Sequence, residues 1–262
     1  MRDLLALLVP PEIPRDTQLA AGVEKARTLL AAARPDVLVA IDALWRPRAF
    51  AVGGTRSSRD LGGLYRGQGA PAMAQALIDT AISFGLPAFA EDAPLTPETA
   101  AMLRHLWPAE DVPILPLGVA TASPGLLQEF GQAIAAAGGR LGLRTVSVCV
   151  GAIAHDHQAE HDRRDNPSVR RFGELVLERL ARSCGEDLFD IDGGLWVQAH
   201  PETDLCHLAL LLGTTGVDAE CEVLGSWAGH GLFSAAVAFY RSEGLPIAAT
   251  REWSAQDHPK PI

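Results

Sequence analysis

The chain has 262 residues, of which 48% are hydrophobic and 21% are charged, and its formal net charge at neutral pH is -10. This length and composition predict a globular protein with a sizeable core and exclude an intrinsically disordered chain. The negative charge argues against nucleic acid and anionic membrane surfaces as partners, because both would repel the protein.

Apolar runs and helical periodicities alternate along the chain. Residues 4–9 predict a buried strand, residues 17–33 a helix and residues 36–41 a second strand. Further helices are predicted at 71–84, 97–106, 124–137, 166–184 and 201–212, and further strands at 86–90, 113–119, 145–150, 222–227 and 233–240. This order predicts one α/β domain, residues 1–250, with a mostly parallel central sheet and helices on both faces; residues 251–262 are a polar tail.

The short apolar run at the N-terminus and the spacing of the cysteines indicate the cellular compartment. The segment MRDLLALLVPPEIP has an apolar run too short for a secretion signal or a membrane span. Four cysteines without a C-x-x-C pair are typical of free thiols. We therefore expect a cytoplasmic protein.

The segment TVSVCVGAIAHDHQAEHD holds the greatest concentration of reactive side chains. Its apolar run, 145–150, breaks at Gly151 and is followed by His155, His157 and His161. These imidazoles are expected at the C-terminal end of a strand, where open α/β sheets bind their ligands. A polar, glycine-rich excursion, residues 46–69, is expected to lie on the surface or to line the same site.

Several strings, taken in order, carry a family resemblance through nearly the whole chain. They are LLALLVPPEIP, RPDVLVAID, VGAIAH, DNPSVRRFGELVLERL, LALLLG and EVLGSWAGHGLFSAAVAFY. Together they resemble the class III extradiol aromatic-ring dioxygenases, in the fold of their catalytic B-type subunits. Active members of that family bind a non-haem Fe(II) through two histidines and a carboxylate, which leaves positions open for the ring substrate and O₂.

The resemblance implies that the iron site is degenerate here. The first family histidine follows the N-terminal strand, where this chain has Pro11 and Glu12, and the second follows Asp42, where it has Ala43. Both imidazoles are therefore missing, and we expect this chain to bind no metal at those positions.

Two other family positions are retained. The carboxylate ligand corresponds to Asp204, with Glu202 beside it, and the acid/base histidine corresponds to His155, as a working or a vestigial group. The resemblance thus implies a pocket in which His155 is the catalytic position and Glu12 and Asp42 are substrate-pocket residues. His157 and His230 are also expected in the substrate pocket, His230 because its flanking glycines allow close approach of a ligand or a partner backbone.

Some family enzymes, similar to 2-aminophenol 1,6-dioxygenase, pair a catalytic subunit with a homologous subunit that has lost its iron ligands. This chain resembles that second kind. We therefore expect a non-catalytic subunit of a dioxygenase acting on a catechol- or aminophenol-type ring, with Fe(II) in a homologous catalytic partner, or a chain that associates with itself. An exposed apolar patch is expected near residues 46–69 or near Trp253.

Another function stays open. His155, His157 and His161 could serve an autonomous metal-dependent dioxygenase or hydrolase. The string HDHQAEHD resembles the H-x-H-x-D-H zinc string of metallo-β-lactamase-like enzymes, but the third histidine comes one residue late and Glu160 replaces the aspartate.

Structural interpretations compete with each of these roles. His157 and His161 are also typical of solvated loop residues, His207 of a hydrogen-bonded core histidine, and Asp42 of a capping residue.

Overall fold

The computed structural model describes residues 3–47, 49–54, 67–91, 95–183, 187–216 and 219–241. Most of the 46–69 excursion, the tail 251–262 and Trp253 lie outside these ranges, and so does the apolar patch predicted there.

Nine strands and eight helices form within the described residues. The strands are β1 (Leu4–Val9), β2 (Val37–Asp42), β3 (Phe50–Val52), β4 (Ala88–Ala90), β5 (Ile114–Gly118), β6 (Thr145–Val150), β7 (Ala154–His155), β8 (Glu220–Gly229) and β9 (Leu232–Tyr240). The helices are α1 (Thr17–Ala33), α2 (Pro71–Ser83), α3 (Pro97–Leu106), α4 (Pro124–Arg140), α5 (His157–His161), α6 (Pro167–Ser183), α7 (Gly193–Ala199) and α8 (Cys206–Thr215).

The strands form one mixed, mostly parallel sheet in the order β4-β3-β5-β2-β6-β1-β9-β7, with β8 paired to β9. At its centre β2, β6 and β1 run parallel, and Val150 is in register with both Asp42 and Val9. The backbone N–H groups of Ala43 and Gly151 extend this ladder by donating to Val150 and Val9. The three strands that carry the predicted site residues therefore end at the same edge of the sheet.

Helices cover both faces of the sheet, which confirms the predicted fold class. The period-2 alternation of β2 sends Val39 and Ile41 into the core beneath α2, α4, α6 and α8, and Leu38 and Ala40 into the core beneath α1 and α3. Burying both faces explains why β2 is apolar at every position before Asp42.

Several predicted bounds were wrong, each for a local reason. Helix α8 begins at Cys206, not at residue 201, because residues 202–205 form a 3₁₀ turn in which Thr203, Asp204 and Leu205 have left-handed backbone angles. Helices α5 and α7 were missed, since each is too short to show a helical period. Strand β9 does close the sheet, but it does so by pairing antiparallel with β1 and carrying β8 on its other edge.

Among the described residues, none of the helices combines the length and hydrophobicity needed to cross a membrane.

Candidate functional site

A cleft of about 440 Å³ opens where the chain leaves the C-terminal ends of β2 and β6. The side chains that give it chemical character are Arg46, His155, His157, Trp196, Glu202 and Asp204. With His200, which also lines it, the cleft combines a guanidinium, three imidazoles, an indole and two carboxylates.

Glu202 is the buried charge of the cleft. Its side chain is 7% exposed, and its carboxylate lies 3.1 Å from Nη2 of Arg46 and 3.6 Å from Nδ1 of His155. Burial alone would raise the pKa of Glu202, but His155, His207 and Arg46 together lower the pKa below its usual value. Glu202 is therefore ionised at neutral pH, with its charge balanced chiefly by the guanidinium of Arg46.

His155 lies between two carboxylates. Its Nε2 is 2.6 Å from Oε2 of Glu160, and its other ring nitrogen faces Glu202. Burial disfavours the imidazolium, yet the carboxylates of Glu202 and Glu160 outweigh it and raise the pKa of His155. The ring of His157 packs against that of His155 with 3.7 Å between centroids.

The segment that presents Glu202 has strained backbone. His200, Thr203, Asp204 and Leu205 all have φ values between 50° and 57°, in the left-handed region. Each such residue costs about 1–2 kcal/mol relative to the right-handed conformation. Two hydrogen bonds hold the segment to the β7 region, from the N–H of His155 to the carbonyl of His200 and from the N–H of Glu202 to that of Ile153. Strain of this kind is common at functional sites.

His207 supports the same segment from inside the core. Its Nδ1 is 2.6 Å from Oγ1 of Thr203, and burial lowers the pKa of this histidine to about 4. In the described part of the chain its Nε2 has no hydrogen-bond partner. The prediction of a hydrogen-bonded core histidine was therefore correct for one ring nitrogen and wrong for the other.

Of the residues predicted from sequence, the structure brings His155, His157 and Asp204 together in the cleft. Asp204 is exposed, so Glu202 beside it is the carboxylate that points inward and carries the contacts.

Glu12, Asp42 and His230 are all described, and none of them lines the cleft. Asp42 is fully buried and accepts hydrogen bonds from the N–H of Leu44 and from the N–H and hydroxyl of Thr96. This is the capping role that competed with a site role. His230 is exposed in the turn between β8 and β9, and Glu12 is also exposed.

The residues at the iron-ligand positions that the family resemblance implies do not fit Fe(II). Neither Pro11 nor Ala43 has a side-chain donor atom. Ala43 is fully buried, and a Cβ built on Gly151 would lie only 2.7 Å from the Cβ of Ala43, so an imidazole at this position has no room. The carboxylate of Glu202 is already paired with Arg46.

Three potential metal-ligating side chains nevertheless lie together at the rim. The donor atoms of His155, His157 and Glu160 are all within 4.8 Å of one another. His161, which the sequence grouped with His155 and His157, is exposed at the end of α5 and is not part of this group.

Sequence reasoning missed Trp196 and did not single out Arg46 within the 46–69 excursion. Arg46 follows Asp42 by four residues and Trp196 belongs to the unpredicted helix α7, so neither gave a local signal.

Comparison with known proteins shows the fold and no more. Neither a protein-family model nor a curated protein matches the sequence. The structure is similar to the crystal structure of the uncharacterized protein JW3007 from Escherichia coli K12, with a TM-score of 0.70 and 18% sequence identity. The similarity covers 90% of this chain and 99% of the E. coli chain, so the α/β architecture is shared over nearly the whole length of both.

Proposed function

We propose that this chain is a subunit of a class III extradiol dioxygenase that cleaves a catechol- or aminophenol-type ring, and that the iron is held by a homologous catalytic subunit. The observation that carries the proposal is the ion pair between Arg46 and Glu202, at the C-terminal edge of the sheet. A buried carboxylate needs a compensating positive charge. In this chain the guanidinium supplies the charge that a metal ion would otherwise supply.

The remaining groups of the cleft suit binding. Trp196 offers an apolar aromatic surface for a ring, and the raised pKa of His155 favours an imidazolium that can donate a hydrogen bond to a phenolate or carboxylate. The charges of Glu202 and Glu160 hold that proton on His155 until a ligand oxygen replaces one of them. The cleft can therefore bind and orient an aromatic anion.

The rim of the cleft favours a protein partner. Val197 lines the cleft with 72% of its surface exposed, and Leu44, near Arg46, is 40% exposed. We infer that a partner subunit covers these two side chains. A catalytic subunit seated there would bury these side chains and close the cleft.

The test is co-expression with a homologous iron-binding dioxygenase subunit from the same genome. We expect the two chains to co-elute and the complex to open the ring. Val197→Asp should weaken association by more than about tenfold, since it buries a charge in the interface. Val223→Asp, at another exposed valine on β8, is the matched control and should leave association unchanged.

Two results would contradict the proposal. One is a catalytic subunit that elutes separately and is fully active without this chain. The other is equal loss of association in both valine variants, which would place the contact away from the cleft.

A further inference from the structure

We propose that His155, His157 and Glu160 form a binding site for a divalent transition-metal ion of the zinc class. This site differs from the positions that the extradiol family uses for iron and does not depend on the dioxygenase function proposed above, because a metal on Nε2 of His155 replaces the proton of the imidazolium invoked there.

The spacing of the donor atoms suits such an ion. They lie within 4.8 Å of one another. Tetrahedral Zn²⁺ with bonds of 2.0–2.1 Å requires neighbouring donor atoms to lie about 3.3 Å apart. The hydrogen bond of 2.6 Å between Nε2 of His155 and Glu160 would open slightly, and the longer separations would contract. His157 and Glu160 are exposed, so their side chains can make this adjustment without repacking the core.

The backbone that carries the three side chains is well fixed. His155 belongs to β7 and is paired with Leu232 of β9. The carboxylate of Asp156 then caps α5 by accepting hydrogen bonds from the N–H groups of Gln158 and Ala159. The pattern His-x-His-x-x-Glu is therefore held by a strand pair on one side and by a capped helical turn on the other.

The donor types select the class of metal. Two imidazoles and one carboxylate occur in zinc sites with three protein ligands, in which water takes the fourth position, and also in non-haem Fe(II) sites, so the donor set fits divalent transition metals as a class. Mg²⁺ and Ca²⁺ prefer all-oxygen sites and are disfavoured here. The fourth position would face the cleft, because His155 and His157 both line it.

The carboxylate of Glu202 faces Nδ1 of His155, the ring nitrogen that would not bind the metal. It lies 3.6 Å from Nδ1, just beyond hydrogen-bond distance, and its negative charge favours the tautomer with a proton on Nδ1 and a free lone pair on Nε2. Carboxylates that orient a metal-binding imidazole in this way are a recurrent feature of zinc sites, and their loss weakens metal affinity by about 10–100-fold.

The test is a titration of the chelator-treated chain with Co²⁺, in which the visible absorption of tetrahedral Co²⁺ measures binding. Zn²⁺ is then added to displace the bound Co²⁺. We expect about one tetrahedral Co²⁺ per chain. His157→Ala and Glu160→Gln should each weaken binding by more than about 100-fold, and Glu202→Gln by about 10–100-fold. His161→Ala removes an exposed imidazole from the same helix and should leave the affinity within about twofold of wild type.

Absence of the tetrahedral absorption, or equal affinity in wild type and Glu160→Gln, would overturn the proposal. Loss of binding in His161→Ala would also overturn it, because the ligand set would then be the three histidines. All four positions can be substituted with the fold monitored by circular dichroism, and none of these outcomes depends on ring cleavage.

Discussion

Two carboxylates flank the imidazole of His155, one at each ring nitrogen. Glu160 is exposed and contacts Nε2, whereas Glu202 is buried and faces Nδ1 while it also pairs with Arg46. The charge state of the cleft is therefore set chiefly by Glu202, because charges interact more strongly where water is excluded.

Glu202→Gln should lower the pKa of His155, because it removes an anion that faces the imidazolium. The measurement is an NMR titration of the His155 ring proton. Glu178→Gln, which removes an exposed carboxylate on α6 that pairs with Arg182, is the matched control and should leave the titration unchanged. An unchanged His155 titration in Glu202→Gln would show that the two side chains do not interact in solution.

His207 should make stability depend on acidity. Burial lowers its pKa from the usual 6.5 to about 4, so the unfolded chain takes up this proton first as the pH falls. Stability is fully present above pH 6.5 and falls by about 3 kcal/mol between pH 6.5 and pH 4. His207→Gln, which keeps a polar group near Thr203, should be less stable at neutral pH, and its deficit should shrink across this window.

Denaturant unfolding at several pH values measures this effect. His105→Gln, at a surface histidine paired with Glu24, is the control and should follow the wild-type dependence. A constant difference between wild type and His207→Gln would mean that His207 does not titrate with a lowered pKa.

The close packing of α8 against α4 fixes the position of the strained turn that precedes α8. Gly131 of α4 and Gly213 of α8 meet so closely that a Cβ on Gly131 would lie 2.4 Å from the carbonyl oxygen of Leu210 and 2.6 Å from Cα of Gly213. Only glycine allows the two helix backbones to approach to this distance.

Gly131→Ala should therefore reduce the free energy of unfolding by about 1–3 kcal/mol, because the methyl group forces the helices apart. Gly139→Ala lies on the same helix, where an added Cβ meets nothing within 4 Å, and should raise stability by about 0.5–1 kcal/mol. Thermal or denaturant unfolding of the two variants gives the comparison. Equal effects would show that helix propensity, not the contact between α4 and α8, decides the outcome.

The sequence predicted elements well wherever they begin at a local signal. Asp16 caps α1, and Thr96 and Ser123 cap helices that begin with proline, so these three starts were correct to the residue. The start of α8 was wrong because Pro201 looks like such a signal, while the following residues adopt left-handed angles that tertiary contacts impose. Propensity carries no information about backbone strain of that kind.

The alternation of strands and helices along the sequence was enough to predict the architecture of the molecule and the edge of the sheet that holds the cleft. The contents of the cleft were only partly predictable. His155 and His157 follow directly from the break after β6, but the pair of Arg46 and Glu202 joins residues 156 positions apart. Such a contact depends on how the loops after β2 and α7 meet, and no local pattern encodes it.

We propose that this chain does not cleave aromatic rings by itself. The most direct measurement is an anaerobic incubation of the purified chain with Fe(II), followed by addition of O₂ and a catechol or 2-aminophenol, with ring opening followed by absorbance. We expect no ring opening above the protein-free control, because Pro11 and Ala43 provide no iron ligands and Arg46 neutralises Glu202. Robust ring opening by the unmixed wild-type chain would contradict it.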